Sequence, residues 1–319
     1  MTKRFASCFA ADLDAFLEYK HALGHPYERA VWTLRSFDRC ASKTVGDSGR
    51  RAGLPEIIAG WLASRRPARP VSIATELGVI RQFCLFRRRH DPGGFVPGRE
   101  WAPQSTESDF APYVFSPKQV LALLAAARRV RAPAFRGVTL RLILLVLYCT
   151  GLRPGEAVRL RLGDLDMERR VLSIRMSKGR ARLVPFRRDL SNELRRYLMQ
   201  RRMHALRPGV DAVFLRPDGH PMSAANLSGM VRGILRRMGL KRERGHRGPR
   251  CYDLRHAFAV HRLTRWHRSG LDVHGRLPWL SAYMGHVDIL GTEIYLTATP
   301  ELLALASKRF ARLVGATQR

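Results

Sequence analysis

A stretch of the sequence without hydrophobic periodicity, VPGREWAPQSTESDFAPY from Val96 to Tyr113, divides the chain into two parts. Proline, glycine and small polar residues dominate this stretch, a composition typical of connecting segments. Both flanking regions do carry periodic apolar residues, so each can build a core of its own. We therefore place a linker at residues 93–112, between a first unit at 1–92 and a second unit at 113–319. A length of 319 residues agrees with two domains.

The first unit is predicted to be helical. Apolar residues recur at helical spacing near its start and near its end: Phe9, Leu13, Phe16 and Leu17, then Ile73, Leu77, Ile80 and Phe83. A basic turn broken by proline, RRPARP, lies between these segments, and Asp-Pro and Gly-Gly steps in RRRHDPGG end the last helix.

The second unit is predicted to be mainly α-helical with one small antiparallel β-sheet. Its first helix carries a capping box of Ser116 and Gln119, and the apolar helix that follows stops at Gly151. The segments VLSIRM and ARLVPF are predicted to form a hairpin with the basic tip SKGR, because Leu172, Ile174 and Met176 alternate with other residues.

The remainder of the second unit has helical patterns in SAANLSGMVRGILRRM, in the run after Asp253, and in LPWLSAYMG. The run RWHRSGLDVHGRLP is interpreted as an extra loop. A final helix is predicted to start at Thr299 and Pro300, with the following apolar residues on one face: Leu302, Leu303, Ala306, Phe310 and Leu313. That face either packs onto its own unit or serves assembly with another protomer.

The charge balance indicates the partner. The chain has 57 Lys and Arg against 26 Asp and Glu, which gives a formal net charge of +31. Charge of this size needs a polyanion in the working state, most commonly nucleic acid, with an anionic membrane as the weaker alternative. The longest apolar run, LILLVLYCTGL, is too short to span a bilayer, and acidic residues near the start do not fit a signal peptide. We expect a cytoplasmic DNA-binding protein without a membrane partner.

The cysteines favour free thiols. They are widely spaced, odd in number and contain no Cys-x-x-Cys pair: Cys8, Cys40, Cys84, Cys149 and Cys251. No cluster of His, Asp and Glu has the spacing of a metal site. The sequence therefore predicts neither a metal nor a cofactor.

Polar residues of the second unit each allow a structural and a functional explanation. Arg153, between a helix stop and a helix that starts with proline, either faces an anion or satisfies the carbonyls of the preceding helix. Glu156 is spaced to hold Arg153 in place. Lys178 lies at the hairpin tip, where a lysine is usually solvated.

The stretch CYDLRHAF combines a helix start with unusual charges. Asp253 is predicted to be the N-cap, but Arg255 and His256 then lie in the first helical turn, where the helix dipole disfavours cations unless they face an anion. Further along, His286 follows a glycine and Tyr295 lies in an amphipathic segment. Alone, the first is typical of a helix end and the second of half-buried packing.

Taken in order, five of these residues resemble the tyrosine recombinase, or phage integrase, family. The matching positions are Arg153 in TGLRPGE, Lys178 in SKGRARLVP, Arg255 in YDLRHAFA, His286 in MGHVD and Tyr295 in TEIYL. The resemblance covers the whole second unit, and it implies a helical core-binding domain followed by a mixed α/β catalytic domain. The phrases DLRHAFAVHRL, GHVDI and YLTATPELL resemble integrase-type transposases of bacterial mobile elements.

One position departs from the family pattern. The family usually has a histidine three residues before the second arginine, where this chain has Tyr252. A tyrosine can hydrogen-bond a phosphate oxygen, but its reference pKa of about 10 makes it a poor general base near neutrality. His256 or Lys178 could compensate.

The resemblance implies a type IB strand transfer without metal or nucleotide. Tyr295 would attack phosphorus and form a 3′-phosphotyrosyl bond, Arg153, Arg255 and His286 would stabilise the phosphate oxygens, and Lys178 would protonate the leaving 5′ oxygen. The cationic cluster would also lower the pKa of the tyrosine hydroxyl.

The resemblance also implies four protomers on two double-stranded DNA duplexes, and it leaves room for partner recombinases. Two other hypotheses remain open. The first is a DNA-binding protein without catalytic activity on the same scaffold, and the second is an enzyme similar to a type IB topoisomerase.

Overall fold

The computed structural model describes residues 4–25, 27–43, 53–65, 68–103, 113–130, 133–175, 181–204, 208–242, 248–296, 302–305 and 307. The chain forms two compact units, Met1–Asp109 and Phe110–Arg319, and the division falls inside the predicted linker. All five cysteines are free thiols. Among the described residues, every helix is too short or too polar to cross a membrane.

The first unit consists of helices α1 (Ala10–Ala22), α2 (Glu28–Lys43), α3 (Leu54–Ser64) and α4 (Pro70–Arg87). The residues that recur at helical spacing do form its core: Leu13, Phe16, Leu17, Leu77, Ile80 and Phe83 are buried together with Trp61. Phe95, Val96 and Trp101 pack against this core as well, although the sequence pattern places them in the linker. The first unit therefore extends beyond α4, because the side chains that lie between the prolines and glycines of this segment reach its core.

The second unit is mainly helical with one small sheet, as predicted. Its helices are α5 (Pro117–Arg128), α6 (Ala134–Thr150), α7 (Pro154–Val158), α8 (Arg188–His204), α9 (Ala224–Arg237), α10 (Asp253–Arg268), α11 (Val273–Met284) and α12 (Leu290–Glu293). Its strands are β1 (Leu165–Asp166), β2 (Val171–Ile174) and β3 (Arg182–Pro185). Helices α5, α6, α8 and α9 surround the larger of its two apolar clusters.

The sheet is antiparallel in the order β1-β2-β3. Strands β2 and β3 form the predicted hairpin, with Leu172 paired to Val184, and the alternation is confirmed because Leu172 and Ile174 are buried. The hairpin tip, residues 176–180, lies outside the described residues. Strand β1 was not predicted, because a strand of two residues is too short to show an alternating pattern in the sequence.

Local capping chemistry explains the helix ends that the sequence predicts correctly. The Ser116 Oγ accepts a hydrogen bond from the Gln119 N–H at 3.2 Å, and the Gln119 Oε1 accepts one from the Ser116 N–H at 2.9 Å. Helix α6 ends at Thr150, and Gly151 follows in the left-handed conformation with φ of 64°.

The extra loop predicted at RWHRSGLDVHGRLP is wrong. Helix α10 continues to Arg268, and α11 begins at Val273 after a short turn. The missed signal is Asp272, whose Oδ1 accepts a hydrogen bond from the Gly275 N–H at 3.1 Å and so caps α11. Pro278 lies inside that helix.

The apolar face predicted for the C-terminal segment is described in part. Leu302 is fully buried in a cluster with Phe258 and Tyr295, so this position packs onto its own unit. Leu303 is exposed. Thr299, Pro300, Ala306, Phe310 and Leu313 lie outside the described residues.

Candidate active site

The turn between α6 and α7 positions the first arginine. Gly151 takes the left-handed conformation, and a Cβ atom there would lie 2.4 Å from the Phe258 ring, so glycine is required for both reasons. The turn leaves Arg153 as the N-cap residue of α7, directly before Pro154. The carbonyl oxygen of Gly151 in the same turn accepts a hydrogen bond from the Arg255 Nη1 at 2.7 Å.

Arg153 is fixed at both ends of its guanidinium. Its Nη1 donates to the Glu156 Oε1 at 2.9 Å, and its Nη2 donates to the Gly285 carbonyl oxygen at 3.1 Å. The Glu156 Oε2 accepts the main-chain N–H of Arg153 at 3.0 Å. The hydrogen bond to Gly285 connects Arg153 with the end of α11, which lies 132 positions further along the chain.

Glu156 also binds a second arginine that the sequence reading missed. The Arg182 Nη2 lies 2.8 Å from the Glu156 Oε2, its Nη1 lies 3.2 Å from the Oε1, and its Nε donates to the Tyr283 O at 2.8 Å. The Glu156 side chain is 1% exposed, so this carboxylate sits between two guanidiniums in a buried site. The alternation of side chains along β3 could have indicated Arg182. Because Arg182 lies two residues before the buried Val184, both side chains are on the core-facing side of the strand, where a charged group needs a partner.

Arg255 is the most buried cation of the site, with no exposed side-chain surface. Its Nη1 is anchored on Gly151, but its Nε and Nη2 have no hydrogen-bond acceptor among the described residues. Burial, and after it the neighbouring Arg153, lowers the pKa of the Arg255 guanidinium. A buried planar guanidinium with two donor nitrogens still to be satisfied suits an anionic oxygen that is supplied from outside.

His286 follows Gly285, which ends α11 in the left-handed conformation with φ of 71°. Its Nδ1 lies 2.6 Å from the Thr292 Oγ1, and Thr292 is fully buried. Burial, reinforced by Arg255 and Arg153, lowers the pKa of the His286 imidazole to about 4. The ring is therefore neutral near pH 7 and can donate a single hydrogen bond.

Tyr295 lies just after α12 and is 1% exposed. Its ring packs 6.3 Å from the His286 ring, centroid to centroid, and its Oη lies 3.0 Å from the His256 Nδ1. Burial raises the pKa of the Tyr295 hydroxyl to about 12, and Arg255 opposes this without reversing it. The cations lower this pKa as expected, but desolvation outweighs them in the protein without DNA, so the net shift is upward.

The helix start at CYDLRHAF differs from the prediction. Tyr252 is the N-cap residue and Asp253 is the first helical residue of α10. The Asp253 Oδ2 accepts the Arg250 N–H at 2.7 Å, and its Oδ1 accepts the Arg250 Nη2 at 3.0 Å. The carboxylate thus turns back to the preceding segment, while the half-buried Tyr252 ring packs 5.2 Å from the His256 ring.

The structure brings Arg153, Glu156, Arg255, His286 and Tyr295 together, with Tyr252 and His256 beside them. Three hydrogen bonds between residues that are far apart in sequence hold them: Arg153 with the Gly285 O, Arg255 with the Gly151 O, and His256 with the Tyr295 Oη. Lys178 lies outside the described residues.

The mainly helical fold thus gathers two arginines, a histidine and a buried tyrosine in one site of the second unit. The sequence model of the phage integrase family matches residues 114–301, which is more than half of the chain. The chain belongs to the phage integrase family of tyrosine recombinases.

Comparisons with known proteins agree with this membership. The chain is 34% identical over 263 residues to y4rB, named as an integrase/recombinase, of Sinorhizobium fredii, covering 81% of this chain and 83% of the relative. It is 32% identical over 237 residues to the tyrosine recombinase XerD of Mycobacterium tuberculosis, covering 73% and 71%. Its fold is similar to that of the XerH site-specific recombinase bound to difH DNA, with a TM-score of 0.65, 17% identity and coverage of 88% of this chain and 78% of that one. The protein is a site-specific tyrosine recombinase that acts on DNA.

Proposed function

We propose that Tyr295 is the nucleophile of DNA cleavage and that Arg153, Arg255 and His286 bind the scissile phosphate. The observation that carries this proposal is the Arg255 guanidinium, which is fully buried, anchored at Nη1, and has two further donor nitrogens, Nε and Nη2, without an acceptor at hydrogen-bond geometry, close enough to Tyr295 to act on its pKa. Burying a cation is costly unless an anion pairs with it, so a site built this way favours binding of a phosphodiester.

The reaction follows from these positions. The Tyr295 oxygen attacks phosphorus, a 3′-phosphotyrosyl bond forms, and the bond to the 5′ oxygen breaks. Negative charge grows on the non-bridging oxygens during attack, where the two arginines and the neutral His286 donate hydrogen bonds. Lys178 serves as the general acid for the 5′ oxygen. The covalent intermediate keeps the energy of the diester, so another 5′-hydroxyl can reseal the strand.

Tyr252 and the assembly complete the proposal. The hydroxyl of Tyr252 donates a hydrogen bond to a phosphate oxygen from the usual histidine position.

Two domains at 1–92 and 113–319, joined by the linker at 93–112, bind the DNA. Four protomers act on two duplexes in the integration or transposition of a mobile element, alone or with partner recombinases. The motif resemblance and the integrase/recombinase name of y4rB support this role.

The test uses a duplex from the DNA that flanks the gene, nicked close to the cleavage position so that the released 5′-hydroxyl fragment diffuses away. On a denaturing gel, the wild-type protein should give a covalent protein–DNA band. Tyr295→Phe should abolish the band, since its side chain has no oxygen to attack phosphorus. Tyr252→Phe should keep it with about a tenfold lower rate, as expected from the loss of one hydrogen bond.

Tyr283→Phe is the matched control. Its hydroxyl donates to the Pro185 O at 2.9 Å within the same unit and contacts none of the proposed phosphate ligands. A band that persists in Tyr295→Phe and disappears in Tyr252→Phe would show that the nucleophile is assigned wrongly. No band with the wild-type protein would favour the DNA-binding hypothesis.

A further inference from the structure

The hydroxyl of Tyr295 contacts a histidine outside the set of proposed phosphate ligands. The His256 Nδ1 lies 3.0 Å from the Tyr295 Oη, inside the range over which a general base accepts a proton. His256 is 5% exposed and Tyr295 is 1% exposed, so bulk water does not compete for this contact.

The other ring nitrogen of His256 faces a carboxylate. The His256 Nε2 lies 3.6 Å from the Asp253 Oδ1, an ion-pair separation that is longer than a hydrogen bond, and the Asp253 side chain is 1% exposed. The negative charge of this carboxylate favours the tautomer that carries the proton on Nε2. The lone pair of Nδ1 is then directed at the phenol. The hydrogen bonds from Arg250 hold the Asp253 carboxylate in place.

Burial and the neighbouring charges keep the His256 imidazole neutral near pH 7. Burial, assisted by Arg250 and Arg255, lowers the pKa of the imidazole to about 4, although Asp253 opposes them. Tyr252 and Tyr295 are the other titratable groups in ring contact with it. A neutral imidazole can accept a proton, which a protonated one cannot do.

We propose that His256 accepts the phenol proton of Tyr295 during attack on phosphorus and that Asp253 positions the imidazole. This inference rests on the proposed role of Tyr295 as the nucleophile. The Tyr295 Oη–phosphorus bond forms, and the phosphorus–O5′ bond breaks with its electron pair on O5′, which takes a proton from the general acid. The phenol proton moves to the His256 Nδ1. Resealing reverses each transfer. His256 thus supplies the base that Tyr252 cannot provide.

A weakly basic imidazole is adequate for this step. The phenol oxygen loses basicity as its bond to phosphorus forms, because its electron density moves to the new bond. The acceptor therefore needs a basicity between that of the free phenolate and that of the oxygen bound to phosphorus, and His256 lies between these limits. Asp253 stabilises the imidazolium that results, as an orienting carboxylate does in a catalytic triad.

The test measures the rate of covalent adduct formation against pH on the nicked duplex described above, with sulfur in place of the bridging 5′ oxygen. A thiolate leaves without a proton, so the profile reports on the phenol alone. The wild-type rate should be flat from about pH 6 to about pH 9. His256→Asn can accept a hydrogen bond but no proton, so it should lose about 100-fold at pH 7 and gain about tenfold per pH unit, because hydroxide must then remove the proton.

His261→Asn is the matched control, because it removes another histidine–tyrosine contact of α10, the 2.9 Å contact with the Tyr148 Oη. It should keep the flat profile. Asp253→Asn should keep the flat profile with about a tenfold lower rate. Binding of the same duplex verifies that each variant is folded, and His256→Gln replaces His256→Asn if the latter does not bind.

The outcomes separate the two proposals. A flat profile and an unchanged rate in the His256 variant, with a normal wild-type adduct on Tyr295, would overturn the role of His256 alone. Absence of a Tyr295 adduct in the wild-type protein would overturn the proposed function and this inference together.

Discussion

Glu156 is the residue that holds both Arg153 and Arg182 in place. Its buried carboxylate accepts hydrogen bonds from Arg153 and from Arg182, and from the main chain of Arg153 as well. A single negative charge thus compensates two partly or fully buried positive ones, and the geometry of both guanidiniums follows from it.

Glu156→Gln should therefore destabilise the second unit and reduce cleavage. The amide leaves two cations without a carboxylate in a buried site, at an expected cost of about 3–5 kcal/mol in the free energy of unfolding. Glu193→Gln is the control, because Glu193 binds Arg141 at 2.6 Å with side chains still 27% and 29% exposed. It should cost less than about 1 kcal/mol. Urea unfolding measures both values, and equal costs would contradict a special role for Glu156.

At the scale of the element, helix ends do most of the positioning. Helix α6 ends at Gly151 and α11 ends at Gly285, both in the left-handed conformation. A Cβ at Gly151 would meet the Phe258 ring, and one at Gly285 would lie 2.6 Å from the Arg182 Nη1. Each glycine thus ends a helix and also allows a side chain from another element to pack closely against the main chain.

Gly151→Ala should separate these two effects when it is compared with Gly239→Ala. Both glycines have positive φ, 64° and 68°, but a Cβ at Gly239 meets no atom within 4 Å. Gly239→Ala should cost about 1 kcal/mol from backbone strain. Gly151→Ala should cost about 3 kcal/mol, since overpacking against Phe258 adds to the strain. Thermal unfolding measures the difference, and similar costs would show that the Phe258 contact yields easily.

Elements are also the scale at which prediction from sequence succeeded or failed. The start of α5 and the end of α6 were predicted because Ser116 and Gly151 act through their own neighbours along the chain. The cap at Asp253 was predicted wrongly because its carboxylate binds the residue three positions earlier, a choice that the spacing alone does not decide. Arg182 was missed because its partner, Glu156, lies 26 residues away on another element. The order of residues along the chain predicts which residues form the candidate site, whereas the contacts between them depend on tertiary structure.

At the scale of the whole molecule, charge dominates. The chain has 57 basic and 26 acidic residues, and 40 of the basic but only 14 of the acidic ones lie in the second unit, residues 110–319. Such a surface raises the local concentration of DNA and speeds its association, but it carries no information on the DNA site.

Binding to the nicked duplex should therefore depend steeply on salt. If the protein neutralises about 6–10 phosphates, its affinity should fall about 10³- to 10⁵-fold between about 50 and 200 mM salt. Titrations at several salt concentrations give the slope directly. The same slope for Tyr295→Phe is the expected control, because its substitution leaves the charge unchanged. A loss below about tenfold would show that few of the cations contact the DNA.

The main-chain anchoring of Arg255 and Arg153 has a consequence for evolution. Arg255 is held by the carbonyl oxygen of Gly151 and Arg153 by that of Gly285. Every amino acid carries a carbonyl oxygen, so no side-chain replacement can delete these two acceptors, provided that the turn keeps its shape. The two turns must still keep Gly151 and Gly285, since a Cβ at either position would meet another side chain of the site. The positions of the two arginines thus depend on the shape of the main chain and, for Arg153, on Glu156 as well.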